Sequence, residues 1–146
     1  MRQQEGGKCR IGCKKTGGDL FSIRVKNKYT NSYVELVDIG EEEMEQNARP
    51  ELVKSVKNME QYDRVILCYP IWWGTMPIYS FLESYNFSGK TVYACATHEG
   101  SGFGGSIQDI KKLCKGAEIK KGFSVYGRSV KTSDTKVKKL VKKIKA

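Results

Sequence analysis

Several things are scarce in this chain of 146 residues, and each scarcity removes a class of function. It has one histidine, His98, and no Cys-x-x-Cys pair, so no spacing of the kind that builds a zinc site. His98-Glu99 lacks the second histidine that a metalloprotease helix needs. No run approaches the roughly 20 apolar residues that span a bilayer. Met1-Arg-Gln-Gln-Glu-Gly-Gly7 lacks the apolar centre of a secretory signal. The expectation is a cytoplasmic protein with no membrane partner. Gly-x-Ser-x-Gly is missing as well, because Glu99 stands where that motif has a glycine, so Ser101 is no nucleophile elbow.

The five cysteines (Cys9, Cys13, Cys68, Cys95 and Cys114) are odd in number and unpatterned, and all five are read as reduced. Cys68 and Cys95 fall in apolar runs, where cysteine behaves as a small apolar residue. Cys9 and Cys13 have Lys and Arg nearby, which lowers a thiol pKa and makes mixed-disulfide chemistry a minor extra there. The formal charge is +10, from 26 Lys and Arg against 16 Asp and Glu, with much of the surplus at Lys131 and from Lys136 to Lys145. Such a surface favours acidic partners, nucleic acid or anionic membrane in general without choosing among them.

The length suits a single domain over residues 1–146, with no repeat and no linker, and with an atypical polar start over 1–16. Leu20 to Val25 alternates and reads as a strand introduced by Gly17-Gly18. Residues 26–45 read as an irregular excursion with a helical end. Pro50 then suits a first helical turn, with Leu52, Val53, Val56 and Met59 at helical spacing. Asp63–Tyr69 and Thr91–Thr97 are unbroken apolar runs of the kind that a strand buried on both faces needs. Between them, Pro77–Tyr85 reads as a short helix. Ser106 is placed to cap a helix carrying Ile107, Ile110, Leu113 and Cys114; Glu118–Tyr126 is a last strand. Ser133 or Asp134 caps a final helix whose Val137, Leu140, Val141 and Ile144 share one face. Strands alternating with helices imply right-handed crossovers and an α/β, doubly wound parallel sheet with helices on both faces.

Two loops follow the carboxyl ends of neighbouring strands, where open α/β sheets bind ligands. The first is Tyr69-Pro-Ile-Trp-Trp-Gly74, whose adjacent indoles suit a flat ligand; the plainer reading is that they roof the core. The second is Ala96-Thr-His-Glu-Gly-Ser-Gly-Phe-Gly-Gly-Ser106. Its Gly100, Gly102 and Gly105 match Gly-x-Gly-x-x-Gly, but the acid that a dinucleotide fold places at the end of the next strand is missing from Val125-Tyr126-Gly127. His98 reads as a ring contact over the shared pocket rather than as a metal ligand.

These motifs resemble those of the flavodoxins, in particular a short-chain bacterial branch. Tyr62-Asp63, Tyr69-Pro-Ile-Trp-Trp-Gly-Thr-Met-Pro77, Phe81-Leu-Glu83, Phe87-Ser-Gly-Lys90 and Thr97-His-Glu-Gly-Ser-Gly-Phe-Gly104 run in that order, with Thr16-Gly-Gly-Asp-Leu-Phe21 and Asn47-Ala-Arg-Pro-Glu-Leu52 before them. The resemblance spans about residues 16–145. It implies flavin mononucleotide (FMN) with its ring on Pro70, Ile71, Trp72, Trp73 and Gly74. Thr97, His98, Glu99, Gly100, Ser101 and Gly102 would line the polar edge. The implied function is electron transfer to a redox partner protein, with no residue making or breaking covalent bonds.

The family opens with an apolar strand and a Ser/Thr-rich phosphate turn, and neither is found here. The expected phosphate site is therefore degenerate, with Lys8, Arg10 and the N–H groups of Gly6-Gly7 as substitutes. The absent strand is the central one of the family order. Its place is left to direct pairing of its neighbours, to a second molecule in a dimer, or to a true beginning upstream. An electron carrier of charge +10 calls for an acidic partner. The alternative is a flavin-free remnant that keeps the scaffold as an interaction module. Nucleic-acid binding through the Lys-rich last helix is the weaker third reading, against a plain solvated helix face.

Overall fold

The structure, a computed structural model, describes residues 15–26, 32–71 and 76–145. Its centre is a parallel sheet of β1 (Arg64–Pro70), β2 (Thr91–His98) and β3 (Glu118–Tyr126), in the order β1-β2-β3. The helices are α1 (Tyr33–Glu45), α2 (Met76–Glu83), α3 (Ser106–Leu113) and α4 (Asp134–Lys145), with short 3-10 turns at Met59–Gln61 and Gly127–Thr132. Leu67 and Tyr69 of β1 join Val92, Ala94 and Ala96 of β2 in one core with Ile78, Phe81 and Leu82 of α2 and Ile107 and Ile110 of α3. Tyr93 and Cys95 face the opposite way, against Leu140 and Ile144 of α4, with Ile66, Cys68 and Phe123 beside them. The unbroken apolar runs are thus covered by helices on both faces.

Two expected elements take other forms. Leu20–Val25 forms no strand of the sheet; Val25 makes an antiparallel bridge to Leu52, with Lys26 N–H on Glu51 O and Val53 N–H on Arg24 O, both at 2.8 Å. Phe21 and Ile23 pack on the core while Leu20 is exposed, so the alternation records one buried side rather than a two-faced central strand. The helix expected over 50–59 is likewise absent. The N–H of Val53 goes to Arg24, that of Val56 goes to the Tyr85 hydroxyl at 2.6 Å, and Asn58 has φ 53°. Leu52, Val56 and Met59 still reach the core, the first two from non-helical chain and Met59 from the 3-10 turn. The helical end of the 26–45 excursion is α1, which covers 13 residues. Direct pairing of the 20–25 segment with β1 does not occur among the described residues.

The register between β2 and β3 slips once. Ala94 pairs with Lys121 and Cys95 with Phe123, which leaves Gly122 as the extra residue of a bulge. Parallel partners share a face, so the slip sends Lys120 and Phe123 towards the α4 side and returns Tyr126 to the side of His98. Lys90, buried at the start of β2, donates from Nζ to Met59 O at 3.1 Å and to Tyr62 O, which ties the 3-10 turn to the sheet.

The cysteines divide. Cys95 and Cys114 are free and buried, whereas Cys68 is disulfide-bonded, with a partner that is not among the described residues. The expectation of five reduced thiols is corrected at Cys68, whose half-buried side chain on β1 stays accessible to a bonding partner. Burial pushes the Cys95 thiol up to about 12 and that of Cys114 up to about 11 from an ordinary value near 9. Folded thiols then keep protons that unfolded ones release. Their contribution to stability is complete below about pH 9 and is lost as pH rises through 11 and 12. A Cys95→Ala/Cys114→Ala variant should accordingly lose less stability than the parent between about pH 8 and pH 10.5 in urea titrations. Equal losses in the two proteins would contradict this account.

Candidate functional site

The carboxyl ends of β1 and β2 are tied to each other. Pro70 pairs with Thr97, and the Ile71 N–H continues the ladder onto Thr97 O at 2.8 Å. The following loop of β2 folds back over this point, so that a Cβ on Gly104 would stand 3.8 Å from Ile71 Cγ2. Under the loop, the Tyr69 hydroxyl meets Ser106 Oγ at 2.8 Å, and Ser106 Oγ donates to Phe103 O at 2.6 Å. With its one proton spent on Phe103, Ser106 accepts from Tyr69. Burial raises the Tyr69 pKa, while the Ser106 bond pulls the other way. Ser106 is therefore a clamp between loop and strand rather than the helix cap expected; Gly105 holds the cap position with no side-chain bond.

Residues 99–105 hold their shape through backbone geometry. Gly100 (φ 136°) and Gly102 (φ 61°) occupy conformations that L side chains rarely adopt, and nothing stands within 4 Å of a Cβ built on either. The demand is conformational, and the space above both is open. The Gly104 N–H closes a turn on Ser101 O at 3.0 Å. The Gly100 N–H donates to His98 Nδ1 at 3.0 Å, so it is already spent. Among the described residues none accepts from the N–H groups of Ser101 or Gly102.

A third strand end completes the edge. His98 is only 8% exposed, and its ring lies 4.7 Å from that of Tyr126, its pairing partner on β3. Because Nδ1 accepts from Gly100, the neutral ring carries its proton on Nε2. The Arg128 guanidinium sits 4.9 Å over the other ring, Tyr126. Glu99 folds back towards Gly127, where a Cβ would meet Oε1 at 2.7 Å.

The structure thus brings Pro70, Ile71, Thr97, His98, Glu99, Gly100, Ser101 and Gly102 to one edge of the sheet. Trp72, Trp73 and Gly74 lie outside the described residues, as do Gly6, Gly7, Lys8 and Arg10 of the proposed phosphate substitutes. Tyr126 and the Tyr69–Ser106 clamp were not anticipated. Tyr126 could have been found from its place at the carboxyl end of the last strand, by the rule that located the other two loops. Among the described residues no group of His, Cys, Asp and Glu could hold a metal ion, and no helix is long and apolar enough to cross a membrane.

A chain with this edge has known counterparts. The flavodoxin family model matches residues 10–144. No curated protein matches the chain. Among solved structures, a candidate flavoprotein from Bacteroides eggerthii is 26% identical with a TM-score of 0.70, covering 90% of this chain and 89% of its own. One from Bacteroides uniformis is 23% identical with a TM-score of 0.73, covering 92% and 90%. A flavoprotein from Lactobacillus acidophilus, solved in complex with FMN, is 15% identical with a TM-score of 0.69, covering 90% and 91%. The three-stranded parallel sheet, its flanking helices and a match over nearly the whole length give one conclusion: this chain belongs to the flavodoxin family.

Proposed function

We propose that the chain is an FMN-binding electron carrier of the cytoplasm. The observation that carries the reading is the pair of N–H groups, Ser101 and Gly102, that meet no acceptor among the described residues, on a loop fastened to the end of β1. They suit the carbonyl and ring-nitrogen acceptors along the pyrimidine edge of a flavin, and the open space above Gly100 and Gly102 lets a ring approach closely. Family membership and the FMN complex of the Lactobacillus relative support the same ligand. The described residues at the strand ends suit the ring of that group.

FMN, when bound, supplies the one- and two-electron chemistry. The chain's own part is to place and shield it. Ser101 and Gly102 present donors, and Gly100 sets the loop conformation while its own N–H is held by His98. His98, Tyr126 and Arg128 form a ring-and-cation stack at one side, a fixed positive charge near a ligand that gains negative charge on reduction. No protein atom forms a covalent bond in this role.

Titration with FMN and with riboflavin, followed by tryptophan and flavin fluorescence, tests the proposal. Gly102→Val is expected to weaken FMN binding about tenfold or more, because a β-branched residue is strained at φ 61° and turns the N–H away. Far-UV circular dichroism should remain that of the parent. A degenerate phosphate site predicts that FMN and riboflavin bind within about tenfold of each other, since charge-assisted phosphate bonds would separate them further. No quenching by either ligand at concentrations on the order of tens of micromolar, with the fold intact, leaves the flavin-free scaffold as the surviving reading.

A further inference from the structure

The surplus of positive charge in this chain falls in residues 111–145. Residues 111–145 carry 13 Lys and Arg against two acids, Glu118 and Asp134, while the remaining residues carry 13 against 14. All 13 of those basic side chains are exposed. The fold distributes them around one margin of the sheet. Lys111 and Lys112 lie on α3, on one face, and Lys115 just after it. Lys120 and Lys121 lie on β3, the outer strand, and Arg128 and Lys131 on the turn after it. Lys136, Lys138, Lys139, Lys142, Lys143 and Lys145 lie on α4, on the opposite face. Of the two acids, Glu118 is paired with Lys120 at 3.5 Å.

This margin runs up to the candidate flavin loop. Lys121 Nζ stands 5.9 Å over the Phe103 ring within the loop, and Arg128 covers the Tyr126 ring beside His98. Resting on the electron-carrier reading, we propose that the α3–β3–α4 margin docks an acidic partner protein, which it steers to the 98–105 loop. A surplus of one sign at the rim of a redox edge accelerates and orients encounter with the opposite sign.

The other polyanions fit less well. A membrane-surface helix needs a free apolar face, and that of α4 (Val137, Leu140 and Ile144) is already buried in the core. A nucleic-acid reader places its charge on an element that enters a groove, or along a channel with stacking rings. Here the charge is divided between both faces and the outer edge of a sheet.

The test uses an acidic plant-type [2Fe–2S] ferredoxin as the probe partner, with the full chain both flavin-free and FMN-loaded. Binding to the flavin-free chain should weaken tenfold or more between about 20 and 300 mM salt, and comparably in Lys121→Glu/Arg128→Glu at low salt. The same charge change at Lys54 and Lys57, exposed but outside residues 111–145, should alter it less than about twofold. Absence of salt-sensitive docking, an equal loss from the Lys54/Lys57 pair, or tighter binding to duplex DNA or phosphatidylserine vesicles at matched salt overturns the proposal. Docking that persists while the FMN-loaded chain exchanges no electrons with the ferredoxin upholds the surface and overturns the carrier reading alone.

Discussion

Replacing Phe87 by alanine is expected to lower the stability of this protein by about 3–5 kcal/mol. The residue is 2% exposed and sits where the chain turns from α2 into β2. Its ring lies 6.3 Å from those of Phe81 and Tyr85 in edge-on contacts, and Phe81 lies 5.1 Å from Tyr85. Alanine would remove the ring from a cluster whose other members are fixed elsewhere, Phe81 against Phe21 and Tyr85 by the Val56 N–H, so the void cannot close by a simple collapse. Domains of this size hold roughly 5–15 kcal/mol in all, so the loss is a large share of the total. Urea unfolding followed by tyrosine and tryptophan fluorescence measures it. Phe87→Leu, which refills most of the volume, should recover at least half of the loss. An alanine variant within about 1 kcal/mol of the parent would mean that the cluster is looser than these distances imply.

The second large effect is expected at Gly122. Its φ is not in the left-handed region, so its reason for being glycine is close approach rather than backbone freedom. A Cβ there would lie 2.7 Å from Cys95 Sγ and 2.9 Å from Ala94 O. A thiol could turn aside, but a carbonyl oxygen in the middle of β2 moves only if the strand moves. Gly122→Val should therefore cost about 1–3 kcal/mol or more, by forcing the two strands apart at the bulge. The effect reaches the site, because everything beyond the bulge depends on the extra residue. Without it, Phe123 would change faces and leave the α4 core, and Tyr126 would no longer stand opposite His98. Loss of the His98–Tyr126 ring contact in NMR spectra, alongside a lower melting temperature, is the paired result to look for. A destabilised variant that keeps this contact would show that the register is set elsewhere.

How far such features were legible depends on what each leaves in the sequence. The strands at Val65–Tyr69 and Thr91–Thr97 could be read because burial on two faces demands an unbroken apolar run, and few other structures do. Helices α3 and α4 could be read because Ile107, Ile110 and then Val137, Leu140, Ile144 repeat at the helical period. The 20–25 and 50–59 segments were misread for a common reason. Apolar spacing reports which side chains are buried, whereas the element formed depends on where the N–H groups find acceptors. Here those acceptors were Arg24 O and the Tyr85 hydroxyl, each remote in sequence. The glycine loop was legible as a place, at the end of a buried strand. Its inner accounting, with the Gly100 N–H spent on His98 and those of Ser101 and Gly102 without an acceptor among the described residues, required coordinates. The bulge at Gly122 left no mark beyond a glycine within a strand, which is a weak sign taken alone.

The 98–105 loop is held by main-chain bonds, by glycine conformations and by two side chains, His98 and Ser106. The exposed side chains at Glu99 and Ser101 contribute little to that scaffold, so descent with modification is free to recolour them while the donors stay in position. A ligand edge made from peptide groups can outlast most of the letters that encode it. That is one physical route by which chains sharing 15% to 26% of their residues arrive at the same architecture.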